Sequence, residues 1–243
     1  MTKSVLYVPL THSTNNLMRE KLRESTPEEG FLLYTDFQTA GKGQPGNSWE
    51  SEKGKNLLFS ILLYPHQIPI QEQFFLSELT CLAIKQSLDK YAEGFSIKWP
   101  NDIYWKDRKI GGILIENSLS KGRIENCIIG IGLNINQELF RSNAPNPVSL
   151  KQILGKTVHR KVILQTIHNK IKEYYESFNL QTIHQNYLKN LYRKDDYYLY
   201  KDVSSNTLFS AKIDTVEGDG KLVLLTDKGE FKEYYFKEVQ FIH

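Results

Sequence analysis

FLLYTDFQTAGKGQPGNSWESEKGKNLLFSILLYP, residues 31 to 65, decides the fold, because its centre, GKGQPG at 41 to 46, matches the pattern G-x-G-x-x-G literally. A dinucleotide fold needs a strand before these glycines, a helix opening at the third, and an acidic residue about 20 positions further on. The segment from Phe31 to Phe37 is apolar and aromatic enough for a strand. After Gly46, however, a polar loop leads into the β-type run Leu57 to Leu63, and no helix opens. The loop therefore joins two strands, and no nicotinamide cofactor is expected. The phosphate-loop pattern fails as well: Asp36 stands five positions before Gly41, and Lys42 is followed by Gly43 instead of a hydroxyl for magnesium.

The whole chain narrows the field further. With 243 residues, 40% hydrophobic and 24% charged, it can bury a sizeable core as one large or two modest domains. The 31 basic and 28 acidic residues leave a net charge of +3, which demands no nucleic-acid partner. Cys81 and Cys127 fall in a helix-type and a strand-type stretch and suit buried thiols in a reducing compartment better than a disulfide or zinc site. MTKSVLYVPLTHST at the front has too short an apolar run for a signal peptide, and CIIGIGLNI (127 to 135) cannot span a bilayer. A cytoplasmic protein without membrane attachment is expected.

Alternating elements follow, without repeats. Ser13 and Thr14 are good N-caps for a short helix carrying Leu17, Met18 and Leu22. A long helix from about Gln71 to Tyr91 places Phe75, Leu79, Leu82 and Ala83 on one face and stops before Gly94. FSIKWPNDIYW (95 to 105), KIGGILIENSL (109 to 119) and RIENCIIGIGLNI (123 to 135) are β-type, the last two joined by the turn SKGR. A second helical region, roughly 160 to 192, carries Ile163, Ile167, Ile171 and Phe178 at helical spacing. These elements predict an α+β fold: a mixed, mainly antiparallel sheet with helices on one face. From Asp195 onward, short strands separated by EGDG and TDKGE suggest a small barrel, dividing the chain into 1–194 and 195–243.

Polar residues cluster at the ends of these apolar strands, where a rigid sheet presents binding groups: STNN (13 to 16), QTAGKGQPG (38 to 46), KWPND (98 to 102), RKIGG (108 to 112) and GLNIN (132 to 136). Glycine-rich backbone approaches a ligand closely and lysines supply positive charge, so the ligand is expected to be an anion. Singly, each residue has a plainer reading: Lys109 as an exposed strand lysine, Asp102 as a turn former, Ser13 as a helix cap.

Taken together, QTAGKGQPGNSW, KWPNDIYWKDRKIGGILIE and IGIGLNIN, in this order and spacing, resemble the catalytic domain of biotin–protein ligases over nearly the whole chain. The resemblance implies a catalytic domain related to class II aminoacyl-tRNA synthetases plus a C-terminal SH3-like barrel. It also implies ATP-dependent activation of biotin to biotinyl-5′-AMP, then transfer to one lysine of a biotin carboxyl carrier domain of a biotin-dependent carboxylase. By motif, Ser13, Thr14, Asn15, Gln38 and Gly112 would meet biotin, beneath a loop of Gly41, Lys42, Gly43 and Gln44. Lys109 and Lys42 would be catalytic, with Lys109 meeting the biotin carboxylate and later the phosphate. Trp49, Asp102 and Asn134 would lie at the nucleotide, with Mg2+ arriving on ATP near Asp102 and Asn134.

Two departures from the family pattern stand out. Many relatives carry arginines where this chain has Lys42 and Gln44; lysine keeps the charge without bidentate geometry, and glutamine loses it. Some relatives begin with a winged helix-turn-helix, whereas here STN starts at residue 13, so no specific DNA binding is expected; a sequence-specific gel shift by the purified protein would overturn this. A lipoate or octanoate–protein ligase of the same fold is the alternative, although its arginine-rich, triple-glycine motif is not found. A non-enzymatic module, whose barrel binds RNA or a peptide, would release no pyrophosphate from biotin and ATP. A homodimer is compatible with this reading.

Overall fold

The computed structural model describes residues 4–141 and 146–242. Seven strands form the main sheet: β1 (Val5–Val8), β2 (Leu32–Thr35), β3 (Leu57–Leu63), β4 (Phe95–Lys98), β5 (Asp102–Trp105), β6 (Arg108–Ser120) and β7 (Arg123–Leu133). Their order is β1-β2-β3-β7-β6-β5-β4, with β1 parallel to β2 and every other pair antiparallel. The expected α+β class and mainly antiparallel sheet are thus present. The β6–β7 hairpin closes at Lys121 and Gly122, both at positive φ, as a tight two-residue hairpin requires. FSIKWPNDIYW is two strands, not one, because the chain reverses at Trp99–Pro100.

Among the described residues, five α-helices accompany these strands: α1 (Thr14–Glu24), α2 (Phe75–Leu88), α3 (Leu150–Leu154), α4 (Arg160–Ser177) and α5 (Leu180–Lys189). Helix α2 is shorter than the span 71 to 91 and is buried on nearly all sides, not on one stripe. Its polar residues survive burial by bonding locally: Thr80 donates to Leu76 O at 2.6 Å and Ser87 to Ala83 O at 2.7 Å. The region 160 to 192 is two helices, since Phe178 turns left-handed (φ +43°) and Asn179 caps the next helix by accepting from Thr182 N.

Helices occupy both faces of the sheet, which corrects the one-face expectation. Odd-numbered residues of β3 and β7, among them Phe59, Ile61, Cys127 and Ile129, join α2, α4 and α5 in the main core. Leu62 and Ile128, with Leu33, pack under Met18 of α1 on the other face. Helix α1 covers only part of that face, and the remainder forms the floor of a cavity.

The C-terminal strands β8 (Tyr198–Asp202), β9 (Leu208–Val216), β10 (Leu222–Thr226), β11 (Phe231–Tyr234) and β12 (Val239–Phe241) form a five-stranded antiparallel sheet ordered β11-β10-β9-β8-β12. β11 and β12 are its edges, so the pairing shows the strands of the expected small barrel as one five-stranded sheet, without closure among the described residues. Tyr200, Ile213, Leu222 and Val239 belong to the same continuous core as the main sheet. Trp99 Nε1 donates to Gly220 O at 2.9 Å across the junction.

Candidate active site

Cross-strand register builds the cavity floor. Ser60, Gly130 and Leu114 lie opposite one another on β3, β7 and β6, and Leu58, Gly132, Gly112 and Asp102 form the next row across β3, β7, β6 and β5. A Cβ on Gly130 would stand 2.3 Å from Asn15 Oδ1, and one on Gly132 would stand 2.5 Å from the Trp49 ring. These two glycines therefore exist so that Asn15 and Trp49 can lie directly on backbone. Asn15 is held by Ser60 Oγ, which donates to its Oδ1 at 2.6 Å, while its Nδ2 donates to Glu116 Oε2 at 2.8 Å.

The lysine of KIGG enters this space through a β-bulge. Ile103 pairs with Gly111 but Tyr104 pairs with Lys109, so Ile110 is an extra residue on β6. Strict alternation from Gly112 would send Lys109 to the core face; the bulge instead buries Ile110 in the core and turns Lys109 to the cavity. There its Nζ lies 2.7 Å from Asp102 Oδ1, with each side chain 23% exposed, and 5.9 Å from the Trp49 ring centroid.

The glycine segment is a small hairpin standing over the floor. Trp49 N donates to Gly41 O, Gly43 N to Asn47 O, and Asn47 N to Gln44 O. Pro45 and Gly46 (φ +90°) fill the central positions of the turn, the arrangement of a type II turn. Gly41 does not line the cavity; a Cβ there would meet Trp49 O at 2.6 Å, so it closes the hairpin's base.

The resulting cavity has a volume of about 680 Å³, the size range of a small-molecule site. Of the residues singled out by motif, Ser13, Thr14, Asn15, Gln38, Lys42, Gly43, Gln44, Trp49, Asp102, Lys109 and Gly112 all line it. Ser13 is the N-cap residue of α1 by position, yet its side chain makes no capping bond, which leaves that buried hydroxyl to the cavity. Gln38 Oε1 accepts from both the N–H and the hydroxyl of Thr14, at 2.7 and 3.1 Å. Lys42 Nζ reaches Asn16 Oδ1 at 3.1 Å. The Trp49 Nε1–H is buried without a partner, a costly state unless a ligand accepts from it.

Asn134 stands apart from these lining residues. It lies outside the cavity lining, 4% exposed, in a buried amide network where Asn56 Nδ2 is 3.5 Å from its Oδ1 and 2.6 Å from Gln137 Oε1. GLNIN continues past the end of β7: Asn134 faces Asn56, while the Asn136 side chain donates to Val158 O and accepts from Val158 N. Of Asp102 and Asn134, near which Mg2+ on ATP was expected, Asp102 alone lines the cavity. Asp102 is the single lining carboxylate and is already engaged by Lys109; among the described residues no group of three His, Cys, Asp or Glu side chains could hold a metal. The residues present do not build a resident metal site.

Sequence reasoning missed one wall entirely. Phe236, Lys237, Val239, Gln240 and Phe241 of the C-terminal sheet line the cavity, facing Lys98, the first residue of KWPND, at the end of β4. Lys98 Nζ donates to Tyr104 OH at 3.1 Å and lies over the rings of Tyr104 and Phe241, 4.7 and 5.2 Å from their centroids. Burial lowers its pKa, opposed by the charge of Asp102. With Lys42, Lys98, Lys109 and Lys237 against one aspartate, the cavity favours an anion.

The profile of the family described as Biotin/lipoate A/B protein ligase matches residues 7–134, from β1 past the end of β7. The bifunctional ligase/repressor BirA of Bacillus subtilis is 30% identical over 250 residues, covering 99% of this chain and 74% of its own length. The biotin–protein ligase of Homo sapiens is 32% identical over 139 residues, 55% of this chain and 19% of its own. A solved structure, biotin protein ligase from Aquifex aeolicus in complex with biotin and ATP, superposes with a TM-score of 0.77 at 28% identity, covering 98% of both chains. A match over more than half of the chain, joined to a relative aligned along almost all of it, places the cavity in a known lineage: the chain belongs to the Biotin/lipoate A/B protein ligase family.

Proposed function

We propose that this chain is a biotin–protein ligase that activates biotin with ATP as biotinyl-5′-AMP and transfers it to a lysine of a biotin carboxyl carrier domain. One observation carries the reading: the bulge on β6 turns Lys109 into a cavity that Ser13, Thr14, Asn15 and Gln38 line together with the Trp49 indole, which lies on Gly112 and Gly132. Two ligands whose reactive ends meet at Lys109 suit that layout. The solved relative that holds biotin and ATP supports the choice of substrates.

In the first step a carboxylate oxygen of biotin attacks the α-phosphorus of ATP, and the bond to the β-phosphate oxygen breaks to release pyrophosphate. In the second, the ε-amine of the acceptor lysine attacks the acyl carbon, loses a proton and displaces AMP, leaving an amide. Bringing a carboxylate to a triphosphate meets like-charge repulsion, which the Lys109 ammonium offsets where the charges converge. The Trp49 indole gives the adenine an apolar face, and its unpartnered Nε1–H offers one donor. Magnesium would arrive on the triphosphate.

Mass spectrometry of a carrier domain incubated with the protein, biotin and MgATP tests the reading; one biotinyl addition on a single lysine is expected. Labelling with lipoate but not biotin would move the chain to the lipoate branch of its family.

The hairpin departures give a further expectation. Gln44 is half-buried at the cavity edge, so Gln44→Arg adds a charge-assisted donor to the adenylate and slows its release by about tenfold. Dissociation of preformed biotinyl-5′-AMP measures this; equal off-rates would mean that the side chain at 44 does not reach the intermediate.

A further inference from the structure

The turn between β11 and β12 touches the glycine hairpin through one side chain. Lys237 Nζ donates to the carbonyl of Pro45 at 2.7 Å, across 192 positions of sequence. Pro45 is at the tip of the hairpin, and both Lys237 and its neighbour Phe236 line the cavity. Apart from the hairpin's own ladder, two hydrogen bonds tie residues 42 to 48 to the rest of the described chain: Lys42 to Asn16 near the base, and Lys237 to Pro45 at the tip.

Lys237 is presented by a rigid support. Glu238 N donates to Tyr235 O at 3.1 Å, Tyr235 N donates to Glu238 Oε2 at 2.7 Å, and Val203 N donates to Glu238 O at 2.9 Å. Tyr235 OH donates to Asp219 Oδ2 at 2.8 Å, fastening the turn to the neighbouring one. Lys237 itself holds φ +73°, a left-handed conformation that a lysine keeps only where its surroundings impose it. A flexible side chain on a fixed, strained turn thus meets the free end of a hairpin.

We propose that Lys237 is a positioning residue: it pins the tip of the glycine hairpin across the cavity and so sets how long an activated intermediate is retained. The retention half rests on the proposed function; the pinning half does not. The C-terminal sheet then acts in the reaction as the anchor of the closed hairpin, not only as packing.

Amide hydrogen exchange of the full chain tests the pin without substrates. In Lys237→Met and Lys237→Gly, the segment 41–49 is expected to exchange about three- to tenfold faster, with Lys237→Arg near wild type and Leu57–Leu63 unchanged in all. The glycine variant removes the ammonium and relieves the backbone together, so loosening in methionine alone would trace to strain and overturn the pin. Unchanged exchange in both would overturn it too. Release of preformed biotinyl-5′-AMP should quicken by a similar factor in the two loosened variants and recover in Lys237→Arg. Faster exchange with unaltered release sinks the retention role, whereas a wild type that forms no adenylate at all counts against the proposed function and leaves exchange to decide the pin.

Discussion

Lys109→Ala is expected to slow formation of biotinyl-5′-AMP by about 10²-fold or more, the usual cost of removing one group aimed at developing charge. The geometry makes the loss double. The ammonium is 2.7 Å from Asp102, so its removal also leaves an unpaired carboxylate where the proposed reaction would bring biotin to the triphosphate. Lys109→Ala in an Asp102→Asn background should therefore be less defective than Lys109→Ala alone, a non-additivity that only contacting groups show. Pyrophosphate release under single-turnover conditions measures both. A folded Lys109→Ala variant with near-normal release would show that the bulge on β6 serves the sheet and not the chemistry.

That bulge marks the limit of what the sequence could disclose. Alternation along KIGGILIE gives the face of each residue only while the period stays at two, and one inserted residue reverses the assignment for everything before it. Lys109 could thus be identified by motif, while its direction required the pairing of Tyr104 with Lys109. The strands on either side of the glycine segment were legible because apolar runs and the lack of a helix after Gly46 are local signals. The split of residues 160 to 192 into two helices was not, since Phe178 fits the apolar stripe and only its left-handed backbone ends α4. β1 escaped notice as a strand for a similar reason: VLYV is short and pairs only at an edge.

The cavity divides the same way. Its floor and hairpin come from segments whose residue types announce close backbone approach. Its far wall comes from Phe236 to Phe241, 100 or more positions from the nearest motif, and no spacing rule reaches that distance. Asn134 shows the opposite situation. A polar residue after a glycine-rich strand reads as a ligand contact, yet here Asn56 Oδ1 accepts from the backbone N–H of Ile135 past the strand end, and the side chains of Asn134 and Gln137 accept from Asn56 Nδ2.

Two alanines placed two residues apart on β7 should separate the halves of the cavity. At Gly132 the new methyl would stand 2.5 Å from the Trp49 ring, so the indole must lift from the shelf; Trp49 rides on a hairpin and can move. The expected result is about 10- to 100-fold weaker use of ATP, in line with the usual cost of overpacking a tight contact, and little loss of thermal stability. At Gly130 the methyl would stand 2.3 Å from Asn15 Oδ1, on a buried helix end tied to Ser60 and Glu116. Asn15 cannot yield without leaving buried polar groups unpaired, so Gly130→Ala should lower the melting temperature and weaken biotin by about tenfold or more. Calorimetric titration with biotin, and the ATP dependence of pyrophosphate release, distinguish the two. Both variants shifting the same substrate, or Gly132→Ala leaving ATP untouched, would mean that Trp49 is not the nucleotide shelf, and the two ligands would then have to share the cavity in another order.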